Sequence, residues 1–239
     1  MKITFVAHSG FLIETPKCSL IFDYYEDPAG VLAPMLDRTR LPVIALSSHS
    51  HPDHFNPECI MWKHICNNII YVISNDIYRK YRRRIDMSDF VSLKRYERRD
   101  LGVATVDTFG STDIGLSYML TVDGCRIFHA GDLNNWHWTD ESTPGEVRDA
   151  ENRFTAELDR LTPLVRGADV AMFPVDPRVG TDYDRGARQF IERIEPKTFV
   201  PMHCWHQFDK TLSVAPVVAA HGGRLAAPMH DGQTIVDIP

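Results

Sequence analysis

At 239 residues, with 44% apolar and 24% charged side chains and a net charge of −6, the chain has an ordinary globular composition, which excludes disorder, collagen-like repeats and coiled coils. The acidic balance gives no overall attraction for polyanions. No stretch reaches the roughly 18 apolar residues of a membrane span, and the length suits one α/β domain covering residues 1–239.

The opening MKITFVAHSGFLIE is broken by His8 and Gly10 before a long apolar run develops, so it reads as strand and not as a signal peptide. Short runs rich in β-branched and aromatic residues predict strands at Lys2–Val6, Phe11–Ile13, Ser19–Phe22 and Val43–Leu46. A helix follows at Asn56–Cys66, with Asn56 as cap, Pro57 in the first turn and Ile60, Met61, His64 and Ile65 on one stripe. After a strand at Ile69–Ile73, a helix at Asn75–Arg84 carries the basic run RKYRRR, with Lys94, Arg95, Arg98 and Arg99 soon after. Such a run is usually a solvated face, and nucleic-acid contact is the alternative.

In the second half, strands are expected at Ile114–Thr121 and Arg126–Phe128, joined by an Asp123-Gly124 turn. Val147, Ala150, Phe154, Leu158 and Leu161 recur at helical spacing within Pro144–Val165, where Pro163 should kink or close the helix. Strands at Val170–Phe173, Thr198–Met202 and Thr234–Ile238 alternate with helices at Tyr183–Ile194 and Lys210–Ala220. The pattern predicts two packed sheets, mostly of antiparallel hairpins, with helices outside. Five cysteines (Cys18, Cys59, Cys66, Cys125, Cys204) include no CxxC pair, which points to reduced thiols and a cytoplasmic protein.

The chemistry concentrates in His49-Ser50-His51-Pro52-Asp53-His54, between the strand Val43–Leu46 and the helix opening at Asn56. A strand-to-helix turn can aim alternate imidazoles and carboxylates into one cavity, where they suit zinc and similar divalent ions. A polar, histidine-rich loop is the plain alternative.

On this segment the sequence resembles the metallo-β-lactamase superfamily, whose HxHxDH signature stands here as His49-x-His51-x-Asp53-His54. Other features follow in the superfamily's order: the N-terminal AHSGFLIET, HAGD at His129–Asp132, and His203 in FVPMHCW. The resemblance spans essentially the whole chain. It implies a four-layer αββα sandwich with a two-metal site at the edge between the sheets. Within the superfamily, the phrases VAHSGFLIE and FHAGD look most like a compact bacterial branch that includes ascorbate-phosphate lactonase. What the resemblance implies is His49 and His51 on a first metal, Asp53 and His54 on a second, Asp132 bridging, and His203 completing the second site. For Asp132 the residues agree, because Ala130-Gly131 after Ile127-Phe128 allows a turn that aims a carboxylate inward; an ordinary turn-forming Asp is the alternative. For His203, the alternative is a histidine satisfied at the core edge.

One expected ligand is missing. The superfamily usually supplies another histidine between the two signatures, where this chain reads Thr108-Phe109-Gly110-Ser111-Thr112-Asp113. His137, between Trp136 and Trp138, is a replacement ligand or a pocket wall. Asp113 suits a cap or turn better than a ligand. The metal is one or two divalent ions, with zinc leading and manganese, iron or magnesium favoured by an oxygen-rich set.

Around this set, His8 reads as a neighbour of the ligands or a buried histidine, and His129 as a hydrogen-bond partner of a ligand or a core histidine. Cys204 reads as packing. Trp136, Trp138, Trp205, His206 and Phe208 suit a small-molecule cleft or rim packing. Asp176 and Arg178 read as surface loop, with Arg178 on a substrate phosphate or carboxylate as the alternative.

The expected activity is hydrolysis of a small lactone, ester, amide or phosphate-bearing substrate by metal-activated water, with Asp53 orienting the water and accepting its proton. A β-lactam is not expected, no membrane partner is expected, and a homo-oligomer is implied by resemblance alone. A nuclease would need a nucleic-acid-binding domain for which 239 residues leave no room. A non-hydrolytic metal-binding sensor or degenerate relative draws support from the missing histidine.

Overall fold

Alternation of side chains along the strands builds the layers. The computed structural model describes residues 1–237, so Ile238 of the expected last strand lies outside the described residues. In β1 (Lys2–Ala7), β2 (Gly10–Glu14), β3 (Ser19–Phe22) and β4 (Val43–Ser47), one face sends Ile3, Phe5, Phe11, Ile13, Leu20, Phe22, Ile44 and Leu46 into the central core. The opposite face sends Val6, Leu12, Ile21, Val43 and Ala45 against Leu32, Met35 and Leu36 of α1 (Leu32–Arg38). With β5 (Ile69–Ser74), β6 (Phe90–Leu93) and β14 (Thr234–Asp237), these strands form a sheet ordered β14-β1-β2-β3-β4-β5-β6.

The second sheet contains β7 (Arg98–Asp100), β8 (Thr105–Phe109), β9 (Ser117–Val122), β10 (Cys125–His129), β11 (Val170–Pro174), β12 (Thr198–Met202) and β13 (Arg224–Leu225), in the order β13-β12-β11-β10-β9-β8-β7. Its inner face meets the first sheet, where the Tyr118 hydroxyl donates to the Ser47 carbonyl at 2.8 Å. Its outer face packs on α3 (Pro144–Val165) and α4 (Arg185–Ile194), with Phe190 stacked on Phe173 at 4.3 Å and on Phe128 at 5.4 Å between ring centres. The order helix, sheet, sheet, helix is the expected αββα sandwich. The short α2 (Asn75–Tyr81) and α5 (Ala215–Ala220) complete the helices.

Both sheets are mixed, correcting the expectation of mostly antiparallel hairpins. In the first, β14, β1, β2 and β3 pair antiparallel, and β3 to β6 pair parallel. The second repeats this pattern, antiparallel from β7 to β10 and parallel from β10 to β13. Turn residues announce hairpins locally, whereas parallel pairing depends on crossovers such as α3 between β10 and β11. The Asp123-Gly124 hairpin forms as expected, with φ of 52° and 75° at the two positions.

The expected strand at Ile114–Thr121 begins only at Ser117, and Asn56–Cys66 is a 3-10 helix over Pro57–His64, still capped by the Asn56 side chain. The expected helix Asn75–Arg84 stops at Tyr81, Tyr183–Ile194 begins at Arg185, and Lys210–Ala220 divides into a 3-10 stretch and α5. α3 opens with a Thr143/Glu146 capping box and continues two residues past Pro163. Among the described residues, no helix is long and apolar enough to cross a membrane.

Phe173 is fully buried and also faces Phe154 and Phe199. Phe173→Ala is expected to lower unfolding stability by about 3–5 kcal/mol, measured by urea denaturation.

Candidate metal centre

The HxHxDH segment leaves the end of β4 and is fixed on several sides before its side chains act. The Ser50 amide donates to Asp76 Oδ2 at 2.8 Å, and Lys80 Nζ donates to the Ser50 carbonyl at 2.7 Å, so α2 braces the loop. One cation of the basic run is therefore structural, while Arg82, Arg83 and Arg84 are exposed. On the other side the Ser48 carbonyl accepts from the Leu116 amide at 3.0 Å.

Two groups of ligand atoms result. His49, His51, Asp113 and Asp132 form one, and His8, Asp53, His54 and His203 the other, each with one ligand atom per residue all within 4.8 Å of one another. Asp132 stands between them. Its Oδ2 lies 3.3 Å from His49 Nε2, while Oδ1 lies 3.0 Å from His54 Nε2 and 3.4 Å from His203 Nε2. Each oxygen faces one group, the arrangement of a bridging carboxylate. Gly131, at φ 53°, makes this turn; a Cβ there would stand 2.7 Å from the Leu116 carbonyl oxygen.

The donor set fits a cation. His8 Nε2, His54 Nε2, His203 Nε2 and Asp132 Oδ1 are buried and make no well-directed hydrogen bond, facing one another and Asp53 instead. A buried polar atom without a partner costs about 1–3 kcal/mol. Three imidazole nitrogens converging with one carboxylate oxygen are an arrangement that divalent metals satisfy.

Buried carboxylates hold the rings. Asp23 accepts from the Ser48 amide at 2.7 Å and the Ser48 hydroxyl at 2.6 Å, and lies 2.7 Å from His54 Nδ1. Asp176 lies 3.0 Å from His203 Nδ1. In both cases the bond engages Nδ1 and directs Nε2 into the centre, the outer support typical of metal-bound imidazole. His8, Asp23 and His203 have φ of 55°, 40° and 61°, left-handed values that non-glycine residues hold at a cost on the order of 1–3 kcal/mol. The His203 amide donates to the His8 carbonyl at 3.0 Å, tying the two together.

The charges are strongly coupled. Burial pushes the His54 ring toward neutrality, but the Asp132 and Asp23 carboxylates outweigh it and raise its pKa well above the ordinary value. Burial likewise opposes ionisation of Asp132, and His54 and His203 overcome it, holding its carboxyl well below the usual range. His8 is dominated by burial, which lowers its pKa to about 4 although Asp53 lies 3.3 Å away.

Several placements correct the sequence reading. His137 is not among the ligand groups: Nε2 lies 3.1 Å from the Asp182 carbonyl, while Nδ1 accepts from the Thr139 amide at 3.2 Å and lies 2.6 Å from its hydroxyl. Asp113, expected as a cap or turn, does receive a turn bond, its amide donating to Ser111 Oγ at 3.2 Å, yet its carboxylate faces His51 at 3.5 Å. Asp176 is fully buried and not surface loop, and Arg178 forks onto it at 2.6 Å with its guanidinium 4.3 Å above the Trp205 ring. His129 touches no ligand side chain in hydrogen-bond range: Nε2 lies 2.9 Å from the Ser9 carbonyl, and Nδ1 accepts from the Gly131 amide at 3.1 Å. It supports the Asp132 turn through the backbone. The pattern reading does not single out Asp23; its signal is a carboxylate directly after the apolar β3, which lies beside β4.

A cavity of about 450 Å3 opens over the two groups, lined by His51, Asp53, Asp113, Asp132 and His203 on the metal side and by Thr112, Trp136, Trp138, Arg153 and Arg178 elsewhere. Trp136 donates from Nε1 to the Asp132 carbonyl at 2.8 Å and stacks on Trp138 at 6.2 Å. His206 and Phe208 line a different, smaller cavity with Trp205 and Cys204, and Cys204 is buried.

Comparison with known proteins places the family and the fold. A family model described as the beta-lactamase superfamily domain matches residues 2–147. A UPF0173 metal-dependent hydrolase of Pyrococcus furiosus is 21% identical over 219 residues, covering 85% of this chain and 84% of that protein. Among solved structures, Igni18, a metallo hydrolase from Ignicoccus hospitalis, superposes with a TM-score of 0.71 at 16% identity, covering 100% of this chain and 99% of its own. CmlA, a diiron beta-hydroxylase from Streptomyces venezuelae, superposes with a TM-score of 0.65 at 12% identity, covering 98% of this chain and 53% of CmlA.

Proposed function

Because the chain belongs to the beta-lactamase superfamily, we propose that it is a metal-dependent hydrolase acting on a small-molecule ester, lactone, amide or phosphate-bearing substrate. The observation that carries this reading is the convergence, beside an open cavity, of three buried imidazole nitrogens and a carboxylate oxygen that make no well-directed hydrogen bond. The Pyrococcus relative, named a metal-dependent hydrolase, supports it. His49 and His51 would hold one ion, Asp53, His54 and His203 a second, and Asp132 both. Zinc is the leading ion, and the diiron relative supports testing iron beside it.

Divalent ions in such a site supply Lewis acidity, polarising a carbonyl or phosphoryl oxygen and acidifying water. The chain's own groups do the remainder. Asp53 lies at the cavity wall, where its carboxylate orients a water and accepts its proton. Trp136 and Trp138 present stacked rings to a planar substrate, and Arg153 offers a cation to an anionic group. Among the described residues no serine or cysteine lines this cavity, and the Thr112 hydroxyl is bonded to the Asn134 backbone, so no covalent acyl-enzyme is expected.

Protein purified without chelator is expected to hydrolyse at least one member of a lactone, aryl ester and phosphodiester panel, to lose that activity on chelation, and to regain it with zinc, manganese or iron(II). Two bound ions without turnover would instead favour the non-hydrolytic binder, a reading supported by the absence of an imidazole at Gly110.

A further inference from the structure

We propose that Asp113 is a ligand of the first ion, an oxygen donor that takes the coordination position for which this chain has no third imidazole. The inference rests on the metal-centre reading above and adds to it the identity of the missing donor.

Any side chain at Gly110 would have to displace a neighbour. A Cβ there would lie 2.6–2.8 Å from the carboxylate atoms of Glu157. That carboxylate is not free to withdraw. It accepts from the Gly110 amide at 2.8 Å, from the Tyr96 hydroxyl at 2.9 Å and from Arg160 Nη1 at 3.2 Å. The neighbouring Ser111 side chain is buried and accepts the Asp113 amide.

The same turn delivers a carboxylate. Thr112 fastens the segment to the loop after Asp132, donating from Oγ1 to the Asn134 carbonyl at 2.5 Å and accepting from the Asn134 amide at 3.0 Å. Asp113 is thereby carried to the cavity wall beside His51 and Asp132. The turn bond uses only its backbone amide, so turn formation leaves the carboxylate uncommitted. Among the described residues, His51 at 3.5 Å is its ion-pair partner.

With Asp113 included, the first ion would have two imidazoles and two carboxylates, and the second would have the same number from His54, His203, Asp53 and Asp132. The His51 and Asp113 side chains are 46% and 40% exposed whereas His54 and His203 are buried, so the first ion should exchange sooner than the second.

The test is metal content per chain by plasma mass spectrometry, after dialysis against a weak chelator, for wild type, Asp113→Ala, Asp113→Asn and His54→Ala. Titration with cobalt(II), read by its visible absorption, supplies affinities, and circular dichroism confirms folding. Wild type is expected to retain two equivalents and Asp113→Ala one, with the weaker cobalt affinity falling about 100-fold or more. Asp113→Asn should fall between them, keeping a neutral oxygen donor. Two equivalents in Asp113→Ala with both affinities unchanged would overturn the role of Asp113 and leave the metal centre standing. A wild-type chain that binds no ion would overturn the metal-centre reading, and the role of Asp113 with it.

Discussion

Asp132→Ala is expected to empty both metal positions, lowering the content from two ions per chain to about none after gel filtration. The reason is geometric: one carboxylate sends Oδ2 toward His49 and Oδ1 toward His54 and His203, so a single truncation removes an anionic donor from each group. The first ion would then keep His49 and His51 with Asp113, and the second His54 and His203 with Asp53, each one anionic donor short. Removing one preorganised electrostatic group from an active site costs about 10²–10³-fold in rate. Asp132 serves two ions, so hydrolysis should fall by about 10³-fold or more. The stabilisation that added zinc gives the wild type, read as a rise in melting temperature, should disappear as well. Retention of both ions by Asp132→Ala would contradict its bridging position.

The second large effect is expected at Asp23. Its carboxylate is fully buried and holds the Ser48 amide, the Ser48 hydroxyl and His54 Nδ1 together. Breaking a buried charged pair from one side costs about 3–5 kcal/mol, because the other partner is left unsatisfied. Asp23→Ala should lose that much in urea denaturation, with an added contribution from a φ of 40° that alanine holds poorly. Asp23→Asn separates the causes, since asparagine tolerates left-handed backbone while lacking the charge. It should lose less stability and still weaken the second ion about 10–100-fold, because His54 no longer has an anionic partner to fix its ring. Equal metal affinity in Asp23→Asn and wild type, measured by cobalt titration, would show that the carboxylate does not support the site.

The parts of the centre legible in sequence are those whose chemistry is local. Within six residues, His49, His51, Asp53 and His54 share one turn, and Asp132 and His203 each follow an apolar run that ends at the same edge of the sandwich. The supporting carboxylates are not local: Asp23 meets His54 across 31 positions and Asp176 meets His203 across 27. Only the pairing of β3 with β4, and of β11 with β12, brings them together. Asp113 shows a different ambiguity, since the residue that suits a turn also suits a metal: its backbone amide makes the turn bond while its carboxylate faces His51. His137 lies close to Asp132 in sequence, but its ring turns to the backbone near Asp182. In the fold, β7 escapes pattern reading because its three residues, Arg98–Asp100, are all exposed. α1 does so because Pro34 sits in its short span.

The most direct measurement is anomalous X-ray scattering at the metal edge, from crystals of chelator-free protein supplied with zinc. Two peaks are predicted on either side of the Asp132 carboxylate, one toward His49 and His51 and the other toward His54 and His203. An empty map at these positions, or ions bound only elsewhere on the surface, would contradict the paired metal centre.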